Sequence, residues 1–169
     1  MDSLFECGYV RTPEMEREFY RYWFFGRPVM IVLYSLMLLS FLINVLHLIF
    51  YFNPNEITIV LFWIPIFFGM MYWLYRKTVA TARKRDLEVA NGKNIEVKIA
   101  VTPEKIIQNV STGAMNELPL SSIKKAVVLK TQIVLISEAK ILYTFRKDSF
   151  TKGTAEDFVF FLTQRRIYR

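Results

Sequence analysis

The stretch PVMIVLYSLMLLSFLINVLHLIFYF (residues 28–52), followed four residues later by ITIVLFWIPIFFGMMYWLY (residues 57–75), decides the fold. Neither run holds an Asp, Glu, Lys or Arg, and only Asn53-Pro54-Asn55-Glu56 lies between them. As helices, their 25 and 19 residues reach roughly 37 and 28 Å, against a hydrocarbon core of about 30 Å. Uncharged runs of this length predict transmembrane helices. The short polar break predicts that the second returns beside the first, a two-helix membrane hairpin over 28–76.

Basic residues orient such a hairpin, because Lys and Arg near the end of a span stay on the cytoplasmic side. Arg11, Arg17, Arg21 and Arg27 precede the first run, Arg76, Lys77, Arg83, Lys84 and Arg85 follow the second, and the connecting residues have none. A multi-pass protein of the cell membrane with both termini cytoplasmic is expected. A cleaved signal peptide is not, since the first apolar run is far longer than a signal's apolar region of about 7–15 residues. The net charge of +7 divides into −1 before residue 28, −1 between the runs and +9 after residue 75, with eighteen Lys and Arg against nine Asp and Glu there. A basic segment beside an anionic leaflet is explained by the surface potential. No nucleic-acid motif with interleaved aromatics accompanies the charge, so no nucleic-acid partner is expected.

Before the hairpin, residues 1–27 read as a cytoplasmic strand and helix. Residues 4–10 alternate weakly, and Thr12-Pro13-Glu14 supplies a cap, a first-turn proline and a first-turn acid. Tyr20, Tyr22, Trp23, Phe24 and Phe25 fall where interface aromatics sit. After the hairpin, 77–92 reads as a basic helical stalk ended by Gly92. Residues 93–169 change rhythm to short β-rich runs broken by turns, the pattern of a small barrel or sandwich. Strands are expected at 96–101, 105–110, 114–118, 123–129, 132–136 and 141–146. A helix over 154–167 opens on Thr154 and Asp157 and places Phe158, Phe161 and Leu162 on one face. The fold class is therefore an α+β membrane protein.

This order of elements, with Leu118-Pro119-Leu120-Ser121-Ser122-Ile123-Lys124-Lys125 before a central strand and Arg146-Lys147-Asp148-Ser149-Phe150 before the last helix, resembles the YcxB-like family of bacterial membrane proteins. The first run in that family usually reads like Leu-Pro-Trp-Ser-Asp-Ile-Lys and the second like Ile-Pro-Lys-Arg-Ala-Phe. This chain departs at Leu120, where an aromatic is common, and at Arg146-Lys147, where Pro-Lys is common. The resemblance implies a PH-like C-terminal domain, a bent sheet of about seven strands closed by a helix, with the segment 4–10 as the seventh strand covering a free edge. It implies no activity.

Three constellations remain. Ser40, Asn44, His47 and Tyr51 are spaced by four, three and four and share a stripe on the first span. On the second span Thr58, Pro65, Gly69 and Tyr72 lie close to one face, and Pro65 leaves the carbonyl of Leu61 without its helical donor. Asn44 or His47 is expected to donate towards that carbonyl while Gly69 permits close approach, so that Ser40, Asn44, His47, Tyr51, Pro65 and Gly69 pack the hairpin. Arg76, Lys77, Arg83, Lys84 and Arg85 fix topology or meet lipid headgroups. Lys124, Lys125, Arg146 and Lys147 form an expected interaction surface, either a basic pocket or ordinary edge protection.

His47 is the single histidine and Cys7 the single cysteine, so triads, metal spacings and disulfide frameworks cannot be assembled, and no phosphate loop occurs. No catalytic residue, cofactor or metal is expected. The preferred reading is a membrane-tethered interaction module, a scaffold or regulator, that binds another membrane or cytoplasmic protein at the cytoplasmic face. Two alternatives stand beside it. One is an oligomeric small transporter or channel-accessory subunit with a polar path along the first span, which would make a homo-oligomer. The other is an anionic-lipid sensor, for which membrane lipids are the partner.

Overall fold

The computed structural model describes residues 3–51 and 64–168. The connecting residues 53–56, the beginning of the second expected span and Thr58 lie outside the described residues. The chain divides into two compact units, one built of residues 1–15 and 84–169 and the other of residues 16–83.

The first unit is made of two antiparallel sheets and a covering helix. Strand β1 (Phe5–Val10) alternates strictly, with Phe5, Cys7 and Tyr9 buried and Glu6, Gly8 and Val10 facing out. That period of two is what allows it to lie against a core on one side. It pairs antiparallel with β2 (Glu96–Val101), Phe5 opposite Val101 and Val10 opposite Glu96. With β3 (Lys105–Val110), β4 (Met115–Pro119) and the short β8 (Phe150–Lys152), it completes a five-stranded sheet of order β4-β3-β2-β1-β8. The second sheet has three strands in the order β5-β6-β7, namely Ile123–Val128, Gln132–Ser137 and Leu142–Arg146.

Strand β6 is buried along its whole length. Its Ile133 and Leu135 enter the core, while Gln132, a buried polar side chain, donates from Nε2 to the Met15 carbonyl at 2.7 Å. The chain between β4 and β5 is a single 3-10 turn, Leu120–Ser122, which buries Leu120. A bulge between Ile123 and Lys125 then bends the entry of β5.

Helix α4 (Ala155–Gln164) closes the core. Its start follows from the Thr154 hydroxyl, which accepts from the Asp157 amide at 3.1 Å and satisfies one orphan donor of the first turn. Phe158 is fully buried, and the rings of Phe145, Phe5 and Phe150 surround it with centroids at 4.6, 5.2 and 5.7 Å. The expected end at 167 comes three residues early. Arg166 adopts φ 59°, and the Ile167 amide turns back to the Leu162 carbonyl at 2.9 Å, a left-handed stop. The Ile167 carbonyl then accepts from Ala126 at 3.0 Å, so the chain end covers part of the β5 edge.

The six strands expected after residue 94 are all present, β2 and β3 at the expected residues and the other four with bounds moved by one residue. The segment 4–10 is a strand, but it is not confined to covering an edge: it lies between β2 and β8. This is why residues 1–15 belong with the β unit rather than with the rest of 1–27.

The second unit holds the apolar helix. Helix α1 (Pro13–Arg21) passes into a π-helical turn, Tyr22–Gly26, and then into α2 (Pro28–Tyr51). The wide turn leaves the Phe24 carbonyl outside a normal helical ladder, and the Tyr34 hydroxyl donates to it at 3.2 Å. Gly26 is required there, since a Cβ would stand 2.9 Å from the Tyr22 ring. Helix α2 is 24 residues long, its most apolar stretch of 18 residues has mean hydropathy 2.5, and none of that stretch is buried by the other described residues.

Helix α3 (Ile64–Val89) carries the described part of the second apolar run and all but the end of the expected stalk. Gly92, with φ 78°, stops it by returning its amide to the Leu87 carbonyl at 2.8 Å. The helix therefore ends three residues short of Gly92, which sits beyond the last turn as its stop. Helices α2 and α3 run antiparallel where they meet: Phe25 packs on Tyr75 at 5.7 Å, and Tyr34, nine residues on, packs on Phe68 at 5.8 Å.

Gly153 has φ 76°, and a Cβ there would meet the Phe5 ring at 2.5 Å, whereas Gly113, at φ 88°, has open space around it. Gly113→Ala is expected to cost about 1–2 kcal/mol for the left-handed backbone alone. Gly153→Ala is expected to cost about 3 kcal/mol or more because it also overpacks the core. Denaturant titration of the full chain in detergent, read by hydrogen exchange of β1 and α4, compares the two.

Candidate functional site

A core that closes around Phe158 leaves the outer face of α4 to solvent. Residues 158 and 162 point in, so at 3.6 residues per turn Phe160 points out. It is 65% exposed. Beside it, an open recess of about 380 Å³ is lined by Lys147, Ala155, Glu156, Val159, Phe160 and Thr163. Among the described residues Lys147 and Glu156 make no ion pair, so the recess offers an apolar floor with one free charge of each sign.

The four basic residues expected to share a surface do not converge. Lys125 lies opposite Ile136 near one end of β6, and Arg146 lies opposite Gln132 at the other. Four residues of strand and two strand spacings separate them, roughly 16 Å. The reason is the hairpin register, in which β5 and β7 both run antiparallel to β6, so the start of one and the end of the other are diagonal. Arg146 is also occupied: its Nε and Nη2 reach the two Asp148 carboxylate oxygens at 2.7 and 2.8 Å. That hydrogen-bonded guanidinium holds the Asp148 carboxyl below its ordinary value, with a further bond from Ser149. Only Lys147 of the four reaches the recess.

Two members of the polar stripe of α2 make contacts within their own helix. The Asn44 side-chain amide donates to the Ser40 carbonyl at 2.7 Å, and the His47 ring lies 4.7 Å from that of Tyr51. The Leu61 carbonyl that Pro65 frees lies outside the described residues. A Cβ built on Gly69 meets nothing within 4 Å, so among the described residues the close helix approach expected there is not found. Aromatic rings take that role instead: Phe24, Phe25, Tyr34, Phe67, Phe68 and Tyr75 interlock with centroids 5.7 to 6.4 Å apart. Repeated aromatics facing across two apolar runs were the available signal for this.

In the basic tract, Lys84 lies 3.7 Å from Glu88 as an exposed pair worth about 0.3–0.5 kcal/mol. Arg76, Lys77, Arg83 and Arg85 make no ion pair among the described residues. Lys77 lies over the Trp73 ring at 4.9 Å, and Arg27 over the Trp23 ring at 4.1 Å. Two further polar ties escaped the sequence reading: Gln132 to Met15, and Arg11 to Asp86 at 2.7 Å with the carboxylate side chain 12% exposed. Both join segments more than seventy residues apart, which periodicity cannot reveal.

Cys7 is 3% exposed and donates to the Arg146 carbonyl at 3.6 Å. Burial pushes its thiol up to about 11. Burial likewise raises the phenol of Tyr9, against a partial lowering by Arg11. These groups are held neutral and out of reach, the reverse of an activated nucleophile. Among the described residues no three His, Cys, Asp or Glu side chains stand together as metal ligands. Comparison with family models, with curated proteins and with solved structures yields no match.

The raised thiol predicts that maleimide modification of native Cys7 at pH 8 is at least about a hundredfold slower than in the denatured chain; mass spectrometry of timed samples measures it. For Asp148 the folded value lies below the unfolded one, so its contribution to stability is present at neutral pH and lost as pH falls through the folded value. Arg146→Gln is expected to raise the carboxyl back towards its ordinary value, as read by NMR titration of the side chain.

Proposed function

We propose that the chain is a multi-pass membrane protein of the YcxB-like kind, in which α2 and α3 form a hairpin that tethers a PH-like interaction module to the cytoplasmic leaflet. The observation that carries the reading is the ladder between β1 and β2. Residues before the apolar helix and residues after it hydrogen-bond in one sheet, so they stand on one side of any bilayer the helix enters. The number of crossings must then be even. Helix α2 is long and apolar enough to be one of them. The uncharged first half of α3, antiparallel to α2 at Phe25–Tyr75 and Tyr34–Phe68, supports the second.

The cytoplasmic placement rests on the flanking Arg and Lys residues. The PH-like reading is supported by two antiparallel sheets, seven of whose strands are those expected, closed by one C-terminal helix. Interaction is favoured over catalysis because the exposed features of the β unit are a docking kind of surface. What supports this reading is Phe160, 65% exposed at the rim of a recess lined by Val159, Ala155 and Lys147. The partner it fits is a segment of another protein that offers an apolar side chain to Val159 and Phe160 and a carboxylate to Lys147. Tethering raises effective concentration at the leaflet, so a small recess suffices.

Photo-crosslinking from p-benzoylphenylalanine placed at Phe160, in native membranes, tests this. A discrete adduct is expected from Phe160 and not from Met115 on the β4 edge, and Lys147→Glu should reduce its yield about fivefold or more without changing abundance. Equal adducts from both positions, or none from Phe160, would contradict the docking role.

A further inference from the structure

We infer that the level of the second unit where Trp23, Arg27, Trp73 and Lys77 lie binds the headgroup phosphates of anionic phospholipids through two indole–cation pairs. The inference rests on the reading that α2 and α3 cross a bilayer. It adds the lipid class and the residues that select it.

Each pair has the same sequence spacing, the tryptophan four residues before its cation. Lys77 lies one α-helical turn beyond Trp73 with its ammonium 4.9 Å from the ring, and Arg27, on extended backbone just past the π-helical turn, brings its guanidinium to 4.1 Å from the Trp23 ring. The two helices run in opposite directions, with Phe25 against Tyr75 and Tyr34 against Phe68. Trp23 and Arg27 stand two residues to either side of Phe25, and Trp73 and Lys77 two residues to either side of Tyr75, so both indole–cation pairs lie about the Phe25–Tyr75 contact.

The charge at this place is unbalanced. Between residues 19 and 85 the chain has one acid, Glu56, which belongs to the segment joining the two apolar runs. Among the described residues Arg27, Arg76 and Lys77 have no ion-pair partner. A cation fixed at the boundary of an apolar helix needs a counter-charge, and the chain does not supply it there. In a bilayer the anions at that depth are lipid phosphates. A zwitterionic lipid brings its own cation, whereas an anionic lipid does not, and so is favoured. The indoles hold the cations in place and belong at headgroup depth themselves, which lowers the ordering cost of seating a phosphate. A free phosphate in water lacks the acyl chains that deliver the headgroup to this level.

The test uses the full chain reconstituted in phosphatidylcholine vesicles with trace spin-labelled phosphatidylglycerol or, separately, spin-labelled phosphatidylcholine. Electron paramagnetic resonance reads the motionally restricted fraction of each. The relative association of the anionic label is expected to exceed that of the neutral one about threefold or more. It should fall towards parity in the double variant Arg27→Gln, Lys77→Gln and decline in 0.5 M salt, with no displacement by millimolar inorganic phosphate. Trp23→Ala with Trp73→Ala should lose at least half of the preference although every cation remains. A restricted phosphatidylcholine component of unchanged size shows that a variant is still inserted and folded.

Equal association of both labels with the unmodified chain would overturn the inference, as would full preference retained by the double cation variant. Displacement by inorganic phosphate would replace the lipid by a soluble anion. If neither label shows a restricted component and alkaline carbonate extracts the protein, the bilayer reading fails first and takes this inference with it.

Discussion

Helix α2 presents 24 residues without a charge, and none of its apolar window is buried by the other described residues. Left in water, that surface would cost about 25 cal/mol for every Å² exposed. The core helix of a water-soluble protein avoids the cost by burial, and the other described residues do not bury α2. In the proposed reading hydrocarbon removes it, and a helix is the form in which the backbone satisfies its own hydrogen bonds there. The proposed organisation of the molecule starts from this constraint.

The β unit turns that constraint into a topology. Because β1 is held between β2 and β8, the chain on either side of the apolar segment returns to the same fold. Breaking the arrangement would expose the inward face of β1, with Phe5, Cys7 and Tyr9, and would remove the neighbours of two strands at once. The Arg11–Asp86 pair and the Gln132–Met15 bond add polar ties within that unit. Losing one partner of such a tie leaves the other partly desolvated without its hydrogen bond. The N-terminal segment is thus an integral part of the β unit, and the apolar hairpin resembles an insertion between its first and second strands.

Much of this was legible in the sequence. Strands with a clean period of two, β2 and β3, fall at the expected residues, and the Thr154 cap places the start of α4. Strand β8 was not legible, since three residues carry no period and its place depends on pairing with β1. The diagonal separation of Lys125 from Arg146 follows from the register of two hairpins, which spacing along the chain does not encode. On α2 the i,i+4 spacing put Asn44 near Ser40 correctly, yet the amide donates to the backbone of its own helix at 2.7 Å. The candidate recess was half legible: placing Phe158 and Leu162 inward already leaves Phe160 outside, but Lys147 reaches it only through the fold.

The central claim is that the apolar segment crosses the membrane an even number of times and leaves the β unit on the cytoplasmic side. Labelling from outside intact cells with a membrane-impermeant maleimide tests it most directly. The probe is Ala139→Cys, on the exposed turn between β6 and β7, in a Cys7→Ser background, with Leu4→Cys as a second probe ahead of β1. The account predicts no labelling of either thiol until the cells are opened, and then labelling of both. Reaction at one thiol but not the other in intact cells, or at both, would contradict it.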